Sequence, residues 1–114
     1  MYRVMFFRTI FSRQKNDPRL HKLPFALAQK VTSLPFPPFI GLRVRSRTGA
    51  ADHVTRVTPY VEDGQECFIC EVADQYPGEG SAVEAHLFYD ELKAMAVNAG
   101  WDVSEVTPEN RVFM

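Results

Sequence analysis

The chain has 114 residues, 46% of them hydrophobic, which is enough for one folded domain with tails. Its net charge of −1 conceals a division, because residues 1–61 carry eleven Lys/Arg against two acids, whereas residues 62–114 carry two against twelve. Two cysteines are too few for a disulfide framework, and no apolar run reaches the ~20 residues of a transmembrane helix. Each half of the chain is therefore expected to have its own electric field and its own partners.

Residues 1–39 are predicted to form a basic, aromatic and Pro-rich N-terminal arm. Within the arm, residues 1–16 are apolar, basic and free of acids, a composition typical of an organelle-targeting peptide. A short helix is predicted from Pro24 to about Ser33, since proline is tolerated in a first helical turn. The prolines at 35, 37 and 38 then impose an extended path. Four aromatic rings of this arm are expected to bind a partner: Phe6, Phe7, Phe36 and Phe39.

Residues 40–114 are predicted to form the folded domain, which opens with three strands. Apolar and polar residues alternate from Ile40 to Arg45, the period of a strand with one buried face. A second strand is predicted over His53–Val61 and a third over Glu66–Ala73, and the Asp-Gly pair between them favours a tight hairpin turn. Pro59 cannot donate a ladder hydrogen bond, so it is expected at a sheet edge or a bulge.

A helix and a short last strand complete the predicted domain. Ser81 and Glu84 have the spacing of a capping box, and Gly100 occupies the position of a C-cap, which predicts a helix to about Ala99. One helical face is expected to pack on the sheet: Ala85, Phe88, Leu92, Met95, Ala96 and Ala99. The opposite apolar face is expected to meet a partner or the Pro-rich arm: Val83, Leu87, Ala94 and Val97. The last strand is predicted over Trp101–Val106.

These elements predict an α+β fold. Its small, mainly antiparallel sheet, in the order strand-strand-strand-helix-strand, would pack on one long helix, with the extended Pro-rich arm outside. Arg43, Arg45 and Arg47 would share one face of the first strand. Three arginines so close repel one another, so phosphates, carboxylates of the chain's own acidic half or carboxylates of a partner are expected opposite them, unless the face is simply solvated.

No catalytic, cofactor-binding or metal site is predicted. Cys67 and Cys70 form a C-x-x-C inside a strand, where they face opposite sides, so they are expected to be buried, free and without metal. The Gly78–Ser81 stretch lacks the lysine of a phosphate-binding loop and is interpreted as a turn. The histidines at 21, 53 and 86 belong to no nucleophile motif. The chain is therefore not expected to be an enzyme.

The resulting interpretation is a non-catalytic structural or accessory subunit of a large multiprotein assembly. The targeting-like head favours a mitochondrial assembly, either a respiratory-chain complex or a mitoribosome, and without that address the protein is expected in the cytoplasm. Its partners would be other protein subunits, with RNA or acidic surfaces contacting the basic half. The alternative is a small nucleic-acid-binding or regulatory protein that uses a basic sheet face.

Overall fold

The structure is a computed structural model that describes residues 1–44, 52–77 and 88–107. Six strands form a single sheet that curls into a half-barrel, with the order β3-β4-β5-β1-β2-β6. All neighbouring strands are antiparallel except β1 and β5, which are parallel. The strands are β1 Tyr2–Phe11, β2 Phe25–Leu34, β3 Arg43–Val44, β4 Asp52–Glu62, β5 Gln65–Val72 and β6 Asp102–Val106. One 3-10 turn covers Leu20–Lys22, and one helix, α1, covers Tyr89–Asn98.

The predicted sheet packed on one long helix, with an N-terminal arm outside it, is wrong. Strands account for 52% of the described residues and helices for 14%. The residues assigned to the arm form β1, near the middle of the sheet, and β2 beside it. The short helix predicted from Pro24 to Ser33 is also wrong, because β2 occupies those residues. Its run of alanine, leucine, glutamine and lysine favours a helix locally, and pairing with β1 on one side and β6 on the other overrides that preference.

The core lies on the inner face of the sheet, where every second side chain of β1 points. Val4, Phe6 and Ile10 are at most 5% exposed, whereas Met5, Phe7 and Thr9, which point to the other face, are only half-buried. The alternation is therefore that of a strand, although apolar residues on both faces conceal it in the sequence. The inner-face cluster is completed by residues of β2, β4, β5 and the C-terminal part: Ala26, Ala28, Val54, Phe68, Cys70, Val72, Leu92 and Trp101.

One inner-face position of β1 is charged. Arg8 is 8% exposed, and its Nη2 donates a hydrogen bond to the carbonyl oxygen of Ala73 at 3.0 Å. This contact satisfies one donor of the buried guanidinium and ties the end of β5 to β1. The following segment is also tied to β1 by backbone bonds, from Phe11 N to Gln75 O and from Gln75 N to Thr9 O.

Several elements of the second half agree with the sequence. β4 and β5 form the predicted hairpin, and Asp63 and Gly64 both have the positive φ of a type I′ turn. Beyond His53, β5 is the only described strand paired with β4, so Pro59 lies where no second neighbour needs its missing N–H. Gly100, with φ of 89°, follows α1 as expected. β6 confirms the last strand.

The predicted helix face is wrong at one residue. Phe88 immediately precedes α1 and is 72% exposed, whereas Leu92 is 2% exposed and packs in the core. Ala96 and Ala99 pack against the same core. The predicted cap at Ser81 and Glu84, the helical residue Ala85, the turn at 78–81 and His86 lie outside the described residues.

A cluster of three side chains fixes α1 against β6. Glu105 accepts hydrogen bonds from Lys93 Nζ at 2.8 Å and from Tyr89 Oη at 3.0 Å. The ammonium of Lys93 also lies 4.2 Å from the centroid of the Tyr89 ring. The hydrogen bond from Lys93, followed by that from Tyr89, lowers the pKa of Glu105 below its ordinary value of 4.5.

Glu105→Gln is expected to lower the melting temperature by a few degrees at pH 7. A carboxylate whose pKa is lowered by folding stabilises the folded state above its unfolded pKa, and this contribution disappears as the pH falls through the folded pKa. The difference between the native chain and the variant should therefore shrink between pH 5 and strongly acidic pH, measured by thermal unfolding followed by circular dichroism. Glu66→Gln, at an exposed position of β5, is the control. A pH-independent difference would contradict the role given to the Glu105 charge.

The fold intersperses the charges that the sequence separates. β5, from the acidic half, lies between β4 and β1, from the basic half, so that Glu71 is the register partner of Arg56 on one side and of Phe7 on the other. Arg3 and Glu62 form an ion pair at 3.4 Å across the same region. Neighbouring strands of opposite charge partly cancel each other's electric field, so basic and acidic residues lie side by side in the described part of the sheet.

The two cysteines lie on opposite faces of β5, as their spacing predicts. Cys67 is the register partner of Arg3, Cys70 that of Phe6, and each is at most 1% exposed. Both thiols are free. Burial raises the pKa of Cys70, as expected for a thiol in apolar surroundings. Within the described ranges, no helix is long and apolar enough to cross a membrane.

Candidate functional site

A groove of about 280 Å³ opens on the inner face of the sheet, where β1 and β2 meet the segment that leads into β3. Its floor is formed by inward-facing residues of the two strands, because Phe6 and Lys30 are register partners and Thr32 and Leu34 follow on the same face. Its wall is formed by residues beyond β2. The lining comprises Phe6, Lys30, Thr32, Leu34, Phe36, Leu42, Arg43 and Val44.

Backbone hydrogen bonds hold the wall of the groove in place. Gly41 N donates to Val54 O at 2.8 Å, and Val54 N donates to Leu42 O at 2.9 Å, so both backbone groups of Val54 fasten the segment to β4. Gly41 has φ of 92°, a conformation that favours glycine and turns the chain into β3. The prolines before it prevent this segment from continuing β2 as a regular strand.

An apolar rim adjoins the groove. Its members lie along the chain between the lining residues Leu34 and Leu42 and are 41%, 55% and 69% exposed, respectively: Phe36, Phe39 and Ile40. The rings of Phe36 and Phe39 are tilted against each other with centroids 6.3 Å apart. Isolated apolar side chains are common on protein surfaces, but a contiguous group beside a concavity is typical of a binding surface.

The groove carries positive charge on an apolar lining. Among the described lining residues, Lys30 and Arg43 carry charge, and both are cations. Lys30 Nζ donates to the carbonyl oxygen of Ala99 at 2.9 Å, which places the ammonium at the C-terminal end of α1, where a cation is favoured. The arrangement suits an occupant that combines an apolar group with a carboxylate or another anion.

The structure brings together four of the residues that the sequence assigns to partner binding. Phe6, Phe36 and Arg43 line the groove, and Phe39 contacts Phe36 at its rim. The ring of Phe6 belongs to the core at 5% exposure, so it supports the floor. Phe7 points to the opposite, outer face of the sheet. Of the remaining residues, Ala94 and Val97 are exposed on α1, and Arg45, Arg47, Val83 and Leu87 lie outside the described residues.

Sequence reasoning did not identify Lys30 as part of this site. The short helix predicted over this stretch gives Lys30 no role. Its place in the groove follows from the register of β2 on β1, which the local sequence does not specify. The polar and apolar residues that accompany it, among them Leu34 and Leu42, were unrecognised for the same reason.

A second concavity, of about 440 Å³, lies towards the end of β1 and β5. Two cations, Arg8 and Lys15, and two acids, Glu71 and Asp74, line it together with Phe7 and Tyr76. Burial, followed by the charge of Glu71, raises the pKa of Asp74, while the two cations oppose this shift. Because its described lining carries charges of both signs, this cleft does not favour a ligand of one charge as the groove does.

The chain matches no protein-family model, no curated protein and no solved structure.

Proposed function

We propose that this protein is a non-catalytic interaction subunit of a multiprotein assembly and that the groove is where a partner chain binds. The observation that supports the proposal is the apolar rim of Phe36, Phe39 and Ile40 beside a groove with two cations. Aromatic side chains and arginine are enriched at protein interfaces, because they bury a large area and make specific polar contacts.

The alternative, nucleic-acid binding by a basic sheet face, receives less support from the fold. Arg43 and Arg56 are exposed, but acidic β5 adjoins the strand that carries Arg56. The carboxylate of Glu71, the register partner of Arg56, would repel a phosphate backbone that followed that face of the sheet. A protein partner that contacts the groove alone avoids that repulsion.

A mitochondrial location remains a prediction. The fold adds the condition that residues 1–16 stay in the mature protein. The head whose composition resembles a targeting peptide forms β1, which contributes three core side chains. If residues 1–16 direct the protein to mitochondria, the mature protein should retain them, because their removal would take away a central strand. Mass spectrometry of the protein recovered from fractionated cells tests both the location and the retained head.

The double variant Phe36→Ala/Phe39→Ala is expected to leave the assembly. Truncation of an interface aromatic residue commonly costs about 2 kcal/mol or more, which is about a 30-fold loss of affinity. The measurement is size-exclusion chromatography of native lysate, with the full chain detected by a C-terminal tag. The unmodified chain should elute in a particle much larger than itself, and the variant should elute alone.

Val61→Ala is the matched control, since Val61 is 73% exposed on the β4–β5 hairpin and lies away from the groove lining. Thermal unfolding of the purified variants shows whether the groove substitutions leave the fold intact, as expected for exposed positions. The proposal fails if the unmodified chain elutes alone, or if the double variant stays in the large particle.

A further inference from the structure

The chain itself carries a surface that complements the groove. Phe88 is 72% exposed, and Asp90 and Glu91, in the first turn of α1, are exposed beside it. The Asp90 side chain remains 92% exposed although it pairs with Lys93 at 3.3 Å, and such surface pairs are weak enough to exchange partners. We call Phe88, Asp90 and Glu91 together the knob.

Knob and groove match in both chemistry and charge. The knob offers one large aromatic ring flanked by two carboxylates. The groove offers apolar walls, an apolar rim with two aromatic rings, and the cations Lys30 and Arg43. Docking of the knob in the groove would remove three exposed aromatic rings from water and bring the carboxylates of the knob close to the cations of the groove. Two knobs, or two grooves, would instead repel each other because their charges have the same sign.

The two surfaces lie at opposite ends of α1, so one molecule cannot satisfy itself. The knob begins the helix, and Lys30 contacts the carbonyl oxygen of Ala99 just after its last turn. Ten helical residues separate the two ends by about 15 Å. A knob can therefore reach only the groove of another molecule, and the contact is head-to-tail.

We infer that the partner in the groove is a second copy of this chain, which inserts Phe88 and places Asp90 and Glu91 beside Lys30 and Arg43. This inference rests on the proposed function, since it names the occupant of the same groove. A head-to-tail contact leaves one free knob and one free groove in every dimer, so association continues until a ring closes or an open chain grows.

The test uses purified full-length chains with one surface disabled in each. The knob variant is Phe88→Ala/Glu91→Lys, and the groove variant is Phe36→Ala/Arg43→Gln, which removes the charge at Arg43 without creating an acid that could attract the lysine at position 91 of the knob variant. Light scattering coupled to size-exclusion chromatography should show a mass that rises with concentration for the unmodified chain. Each variant alone should be monomeric, with association weakened about 30-fold or more. An equimolar mixture should form a dimer and stop there, because only one intact knob and one intact groove remain.

Val61→Ala/Glu66→Lys is the matched control, because it removes an exposed apolar residue of β4 and an exposed acid, its register partner on β5, away from the groove lining. It should associate like the unmodified chain, and loss of association in this variant would assign the occupant to the β4–β5 hairpin instead. A mixture that remains monomeric, or that grows beyond a dimer, would overturn the inference.

The inference and the proposed function fail in different ways. If the purified unmodified chain is monomeric at all concentrations while Phe36→Ala/Phe39→Ala still leaves the native particle, a different protein occupies the groove and only the self-association is wrong. If the groove substitutions affect neither the purified protein nor the native particle, both are wrong.

Discussion

Deletion of residues 1–11 is expected to unfold the whole protein. β1 contributes Val4, Phe6 and Ile10 to the core, and burial of three such side chains is worth roughly 5–9 kcal/mol. The strand also pairs along both edges, with β2 and with β5. A domain of this size is commonly stable by only about 5–15 kcal/mol, so the loss consumes most or all of that margin.

Near-ultraviolet circular dichroism and the dispersion of amide signals in NMR spectra provide the measurement. Val4→Asp, at 0% exposure, should reproduce much of the loss, whereas Met1→Asp, at 78% exposure, should leave the spectra unchanged. Residues 40–114 alone should likewise be unfolded. Native-like spectra from the truncated chain would show that the remaining strands are sufficient, and the central role of β1 would be lost.

Leu92→Ala is expected to destabilise the protein by about 2–5 kcal/mol, the range observed when a buried leucine is truncated. Leu92 is 2% exposed and is the residue of α1 that reaches the core cluster. Its removal leaves a cavity between the helix and the inner face of the sheet. Urea unfolding should show a lower midpoint with an unchanged slope.

Val97→Ala on the same helix is the control, since Val97 is 56% exposed. Its cost should lie within about 0.5 kcal/mol, as for most surface substitutions. Equal costs at the two positions would mean that α1 does not pack on the sheet through Leu92.

The parts of the fold that depend on local chemistry could be predicted from the sequence. The β4–β5 hairpin follows from an Asp-Gly pair between two runs of strand-forming residues, and Gly100 marks the end of α1. β1 could not be found in this way, because Arg3 pairs with Cys67 far along the chain. Its apolar outer residues and the inward Arg8 also conceal the alternation that identifies a strand.

The candidate site, too, could be predicted from the sequence only in part, because some of its residues come together through strand pairing. Phe36, Phe39 and Arg43 were predicted to bind a partner because aromatic rings on a proline-fixed path and an arginine on a strand are noticeable in any fold. The contribution of Lys30 depends on the register of β2 against β1 and on the position of Ala99. Tertiary pairing produces both, so neither is visible in the residues around Lys30.

The central position of β1 also affects how the chain is made. β1 and β2 pair as soon as both have been synthesised, but the other edge of β1 waits for β5, which ends at Val72. At about 5–20 residues per second, the roughly 40 residues after β2 take about 2–8 s. During that time the nascent chain on the ribosome exposes an unpaired, apolar edge of β1. Such an edge is a template for pairing with other nascent chains on the same messenger RNA. Slower translation lengthens this exposure, and a chaperone that covers the β1 edge until β5 emerges protects the yield of folded protein.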